Sequence, residues 1–255
     1  MDQLMIGVFG LTGCAGDQLT LLNCEDELLS LTEKVRWSSF NMATTTESAG
    51  RMEVALVEGS VCQPDDIALL RDVRERSNAL VALGTCACFG GIAAMDGRLD
   101  PAVLEDAVYG QEGRQFEALR AQPLSTYVQV DFMLPGCPVE KEQLLETVAS
   151  LLKGSFPEIP RTPVCADCVA RENLCLVIER GEVCCGALTR GGCGARCPTL
   201  DMPCLGCRGP VEDAYYRVKR HFLGSRGVTR EIIRRKMLLF STPAGMGEIL
   251  EREFD

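Results

Sequence analysis

Short unbroken runs of apolar residues alternate, along the first 155 or so positions, with stretches whose apolar residues recur every three or four. The runs Met5–Phe9, Val54–Val57, Ala79–Leu83 and Val128–Leu134 are apolar throughout, or nearly so, and rich in valine. That is the pattern of strands buried on both faces of a parallel sheet. Val35–Phe40 is a fifth, weaker run. Between the strands, Leu19–Leu31 repeats apolar residues at helical spacing. Asp65–Arg76 opens with Pro64 and two acids, which suit a helix start, and Val103–Leu119 and Val139–Leu152 complete the helical set. This βα alternation predicts a flavodoxin-like, doubly wound parallel sheet over residues 1–155.

After Lys153 the pattern stops. The segment GSFPEIPRTP reads as a proline-rich connector. From Cys165 to Cys207 the chain holds nine cysteines and eight glycines and prolines, too little apolar material for a core of its own. Metal is the natural substitute, because its binding energy becomes folding energy. Residues 156–255 are therefore expected to form a small, loop-rich iron–sulfur domain, with a tail from Val211 to Asp255 of short helices packed back on the body.

Composition narrows the function. The formal net charge of −10 argues against a nucleic-acid partner or an anionic membrane surface, both of which need basic residues. No apolar run approaches the roughly 20 residues of a membrane span. Met1–Phe9 carries no basic region and no twin arginine, so a cytoplasmic protein is expected. Fifteen cysteines in a reducing compartment are not expected to be disulfides. The single histidine, His221, fits zinc enzymes poorly and thiolate clusters better.

Three cysteines follow predicted strands: Cys14 in GLTGCAGD, Cys86 in LGTCACFGG and Cys137 in LPGCP. Loops at the carboxyl ends of parallel strands converge on one edge of the sheet. Residues more than a hundred positions apart can therefore meet there. The neighbouring glycines allow close approach of the backbone to a bulky inorganic group. Three thiolates are one short of a cubane's four ligands, and Asp17, three residues after Cys14, is the candidate for the fourth. Taken singly, each cysteine also reads as a buried thiol and Asp17 as a helix N-cap.

The second constellation has more specific spacing. Cys165 and Cys168 form a C-x-x-C unit, followed by Cys175, Cys184, Cys185, Cys193 and Cys197, and then by a second unit, Cys204 and Cys207. This is a two-site arrangement. Two four-cysteine zinc sites use the same spacings, but Cys197-Pro198 favours iron–sulfur chemistry.

In order and long-range spacing, TGCAGD (Thr12–Asp17), VEGSV (Val57–Val61), GTCACFGG (Gly84–Gly91) and LPGCP (Leu134–Pro138) resemble the nickel-iron hydrogenase small-subunit family in its cytoplasmic, multi-subunit branch. So do CADC (Cys165–Cys168), ENLC (Glu172–Cys175), GGCGARCP (Gly191–Pro198) and PCLGCRGP (Pro203–Pro210). The 20-kDa subunit of quinone-reducing complexes is similar in the N-terminal part only. The resemblance implies three 4Fe-4S clusters: a proximal one on Cys14, Asp17, Cys86 and Cys137, a medial one on Cys193, Cys197, Cys204 and Cys207, and a distal one on Cys165, Cys168, Cys175 and Cys184. Aspartate in place of the family's usual second cysteine is similar to the deazaflavin-reducing hydrogenases of methanogens. The C-terminal segment is more similar to hydrogenases linked to heterodisulfide reductase or to pyridine-nucleotide flavoproteins.

Cys24, Cys62, Cys88 and Cys185 are left over and are expected to be buried thiols. The implied role is electron transfer without a catalytic residue in this chain. The partners would be a large subunit with the nickel-iron site and a flavin or iron–sulfur acceptor subunit. Glu58, in VEGSV, is expected near the large-subunit interface. The competing readings are a zinc-stabilised binding module and a quinone-reductase-type subunit.

Overall fold

A computed structural model describes residues 3–24, 26–27, 33–45, 48, 50–95, 100–110, 117–211 and 229–240. The chain divides into two compact units. One comprises Met1–Ala93 with Gly97–Glu158, and the other Ala94–Asp96 with Ile159–Asp255.

The first unit is built on a five-stranded sheet: β1 (Leu4–Gly10), β2 (Val35–Phe40), β3 (Met52–Glu58), β4 (Ser77–Leu83) and β5 (Phe132–Leu134), in the order β2-β1-β3-β4-β5. Every pairing is parallel. This is the doubly wound, flavodoxin-like order, whose switch point lies between β1 and β3. In β3 all residues but Glu53 are buried, as expected of a central strand covered on both faces. The helices are α1 (Gly16–Leu22), α2 (Pro64–Arg76), α3 (Gly84–Phe89), α4 (Pro101–Tyr109) and α5 (Lys141–Leu151).

Helix α2 starts where its residues dictate. Pro64 occupies the first turn, and Asp66 Oδ2 accepts the backbone N–H groups of Cys62 at 2.8 Å and Gln63 at 3.2 Å. The same oxygen accepts the Thr12 hydroxyl at 2.9 Å, which ties this helix to the loop carrying Cys14.

Three elements depart from the apolar pattern. The helix expected over Leu19–Leu31 is interrupted: α1 runs from Gly16 to Leu22 with Asn23 as its C-cap, and residues 26 and 27 are again helical. Residues 25 and 28–32 lie outside the described residues. The helix expected over Val103–Leu119 runs only to Tyr109, where Gly110 at φ 60° closes it, and residues 111–116 are likewise outside. The strand expected from Val128 begins only at Phe132. Before it, the Asp131 carboxylate takes the N–H of Leu80 at 2.7 Å and the Arg74 guanidinium at 2.5 Å, so a side chain occupies what would be a ladder position.

The second unit has short helices: α6 (Val164–Ala170), α7 (Leu176–Arg180), α8 (Arg196–Thr199) and α9 (Arg230–Met237). Its core joins Val164, Val183, Leu188, Ala195, Val211 and Leu238 to the sulfur atoms of Cys184, Cys185 and Cys204. Arg208 is fully buried, and its Nε donates to the carbonyl of Gly191 at 2.9 Å, stapling the 190s loop to the 204–209 turn. Of the helical tail expected from Val211 onward, only Val211 and 229–240 belong to the described residues.

Candidate metal centres

At the carboxyl edge of the first unit's sheet, hydrogen bonds tie the loops together in two pairs. Ser60 N–H donates to the Thr12 carbonyl at 2.8 Å, joining the loop after β1 to the end of β3. Thr85 N–H donates to the Gly136 carbonyl at 2.8 Å, and Gly136 N–H returns to the Thr85 hydroxyl at 3.2 Å. That reciprocal pair holds the segment carrying Cys86 against the loop carrying Cys137. Cys86 differs from the expectation in one respect: it lies on the one-and-a-half-turn helix α3 and not in an open loop.

The electrostatics of Cys86 report its company. Burial pushes its thiol up to about 11, and Cys137, Asp17 and Cys14 each raise it further as anionic neighbours. All four sequence-selected groups thus share one locality. Cys14 and Cys137 are exposed, and Cys86 is half-buried.

Asp17 is 5% exposed. It stands inside the first turn of α1 and not at the N-cap, which is Ala15 at φ 60° with no side-chain bond. The carboxylate turns away from its own helix. Its Oδ1 accepts the N–H of Val139, two residues past Cys137, at 2.7 Å. Its Oδ2 lies so close to Gly84, at φ 81°, that any Cβ there would overlap it. Burial raises the carboxyl to about 7, the Val139 bond opposes that rise, and nearby Glu58 adds to it. A carboxylate so placed is favoured by a cation, which a helix cap in water does not need.

Glu58 holds a place inside the unit that its motif alone does not show. It is 2% exposed and sits beneath the start of α1, where its oxygens accept Gln18 N–H at 3.0 Å and Asp17 N–H at 3.3 Å. It serves the orphan donors of that helix in place of a conventional cap. Replacing it with alanine leaves both donors unsatisfied. We expect Glu58→Ala to cost about 1–3 kcal/mol, seen as a lowered thermal midpoint of the purified complex, with Glu58→Gln retaining part of the loss. An undiminished midpoint would show that water replaces the carboxylate. The VEGSV motif marked this residue, but its role depends on a fold that brings residues 17, 18 and 58 together.

The leftover cysteines of this unit are turned elsewhere. Cys88 is buried in the core and donates to the Ala82 carbonyl at 3.4 Å. Cys24 is buried and bonds the Thr20 carbonyl at 3.2 Å. Cys62 contacts the Ser60 hydroxyl at 3.3 Å.

In the second unit, burial raises the Cys168 thiol, and Cys184 and Cys175 raise it further, while Asn173 Nδ2 donates to its sulfur at 3.7 Å. A Cβ at Gly186 would stand 3.5 Å from Cys184 Sγ and 3.6 Å from Cys165 Sγ. Residues 165, 168, 175 and 184 therefore gather. Burial likewise raises Cys197, with Cys193 the first of its charged neighbours. Cys204 packs against Cys184 and Cys185, and Cys207 follows three residues later. Among the described residues none of the fifteen cysteines forms a disulfide. No three Cys, His, Asp or Glu side chains among them converge closely enough to hold a single ion. A cubane presents a separate iron to each ligand, so its donors stand further apart than those of one ion. Thiolate donors, one carboxylate, and glycines at 84 and 91 whose Cβ atoms would overlap Asp17 and Cys86 suit such a group.

The family model described as NADH ubiquinone oxidoreductase, 20 Kd subunit, matches residues 14–151. The chain is 37% identical over 233 residues to sulfhydrogenase 2 subunit delta of Pyrococcus furiosus, covering 90% of this chain and 98% of that one. It is 29% identical to a subunit of the F420-non-reducing hydrogenase vhu of Methanococcus voltae, covering 83% and 84% respectively. Among solved structures, a chain of the NAD+-reducing [NiFe]-hydrogenase in the H2-reduced state superposes with a TM-score of 0.57 at 28% identity, over 62% of this chain and 96% of that one.

Proposed function

This chain belongs to the NADH ubiquinone oxidoreductase 20 Kd subunit family, and on that premise we propose that it is the electron-transfer small subunit of a nickel-iron hydrogenase. The observation that carries the reading is the meeting of Cys14, Asp17, Cys86 and Cys137 at one sheet edge. It occurs in a chain whose near-full-length relatives bear hydrogenase names. The family match at 14–151 spans the part in which a quinone-reductase subunit is also similar. The relatives' coverage of the cysteine-rich remainder favours the hydrogenase reading.

Iron–sulfur clusters supply one-electron storage and transfer. In the proposed assignment Cys14, Asp17, Cys86 and Cys137 hold the proximal 4Fe-4S cluster. Cys193, Cys197, Cys204 and Cys207 hold the medial one, and Cys165, Cys168, Cys175 and Cys184 the distal one. The chain's own groups position the clusters and set their potentials: the Asn173 amide on Cys168, the buried Arg208 beside Cys207, and the backbone ties around Thr85. The large subunit carries the nickel-iron site, and a flavin or iron–sulfur subunit receives the electrons. We place the complex in the cytoplasm. Among the described residues no helix is long and apolar enough to cross a membrane.

Anaerobic purification tests this directly. The pair of small and large subunits should be brown and contain about twelve acid-labile sulfides per small subunit, four for each site. A colourless preparation with stoichiometric zinc would support the zinc-stabilised module instead. About eight sulfides would remove one of the three sites.

A further inference from the structure

In the cysteine-rich unit one sulfur belongs to two neighbourhoods. Cys184 sits with Cys165 and Cys168. Its Sγ also accepts the backbone N–H of Cys204 at 3.2 Å. A second bond, from Cys185 N–H to the Cys204 carbonyl at 2.9 Å, clamps the two segments together. Thr189 fixes the clamp from behind, donating its N–H at 3.0 Å and its hydroxyl at 2.7 Å to the Cys185 carbonyl. Cys184, Cys185 and Cys204 are all buried, so water does not compete for these bonds. Gly186 lies at the seam. A Cβ there would stand in ordinary contact with Cys184 Sγ, Cys165 Sγ and, at 3.7 Å, Cys204 Cβ.

We propose that the hydrogen bond from Cys204 N–H to Cys184 Sγ is the link across which an electron passes between the two C-terminal sites. The proposal rests on the cluster assignment above, in which Cys204 is a ligand of one site and Cys184 a ligand of the other. Electronic coupling decays more slowly through covalent and hydrogen bonds than across a van der Waals gap. A path of one ligand's backbone, one hydrogen bond and the other ligand's sulfur has no gap to cross. One electron leaves the site held by Cys193, Cys197, Cys204 and Cys207, which is oxidised by one unit. It enters the site held by Cys165, Cys168, Cys175 and Cys184, which is reduced by one unit. No proton moves and no bond breaks, and the reverse transfer uses the same path.

The test is electron paramagnetic resonance of the fully reduced complex at two microwave frequencies, which isolates the spin–spin splitting between the two sites. Its dipolar part depends on their separation, whereas its exchange part depends on the connecting path. Cys184→Ser keeps an oxygen donor but removes the sulfur from the path. Cys175→Ser makes the same exchange of donor on an exposed ligand outside it. Gly186→Val keeps every cysteine and drives two methyl groups between Cys184 and Cys204. We expect the exchange splitting to be lost in Cys184→Ser and Gly186→Val and kept in Cys175→Ser, with sulfide content unchanged in all three. An unchanged splitting in Gly186→Val and Cys184→Ser, or an equal loss in Cys175→Ser, would overturn the link. If Cys184→Ser sheds its cluster, Gly186→Val alone decides. Wild-type protein without iron at these sites would instead sink the functional reading itself.

Discussion

Asp17→Ala should strip the first unit of its metal centre, removing about four irons, a third of the complement, or leaving a three-iron remnant in its place. Position and environment both argue for this. The carboxylate shares its surroundings with Cys14, Cys86 and Cys137, and it is buried where a lone negative charge is costly. Its hydrogen bond from Val139 engages Oδ1 and leaves Oδ2 facing the Gly84 backbone that a side chain would obstruct. Alanine removes the fourth donor without filling its place. Asp17→Cys restores a thiolate at the same residue and should keep a 4Fe-4S cluster. Its magnetic spectrum and potential should change, because a carboxylate is a harder and less covalent donor than sulfur. The measurement is iron and sulfide content with spectra of the reduced complex. Cys88→Ala is the control. Its thiol is turned into the core and bonds Ala82, so it should keep full iron. If Asp17→Ala matched wild type while Cys88→Ala lost iron, Asp17 would be a structural residue only.

The adjacent pair Cys184 and Cys185 should behave oppositely. Cys184→Ala is expected to lose about four irons. Cys185→Ala should keep them all and cost about 1 kcal/mol of stability, the scale of a small buried deletion. Sequence spacing cannot separate the two, since either thiol could complete the set begun by Cys165, Cys168 and Cys175. Their surroundings differ. Cys184 Sγ lies by the site of the Gly186 Cβ next to Cys165 Sγ and bears on Cys168. Cys185 is the more deeply buried of the two, and burial pushes its thiol up to about 12. Iron content and thermal midpoint of the two variants decide the matter, and full iron in Cys184→Ala with loss in Cys185→Ala would reverse the assignment.

The sheet was legible because a parallel strand covered on both faces must be apolar at nearly every position. Met5–Phe9 and Ala79–Leu83 lie within β1 and β4, and Val35–Phe40 is β2 itself. Where side chains compete with the backbone, the pattern overreached. Asp131 takes the N–H of Leu80 with its carboxylate, ahead of the point where β5 begins.

For the centres, the sequence by itself determined which residue types were available and in what spacing: thiols after strands, paired C-x-x-C units, and glycines beside them. Spacing is a property of the chain, and it is preserved on folding. Orientation is not. Only the tertiary structure decided that Cys86 and not Cys88 faces Asp17, because a helix two residues on turns a side chain by roughly 200°. Only the fold brought Glu58 under the N–H groups of residues 17 and 18. The bond between Cys204 and Cys184 likewise spans twenty residues and arises from the packing of two turns. Such contacts are set by where the whole chain places its segments, and no local run of residues encodes them.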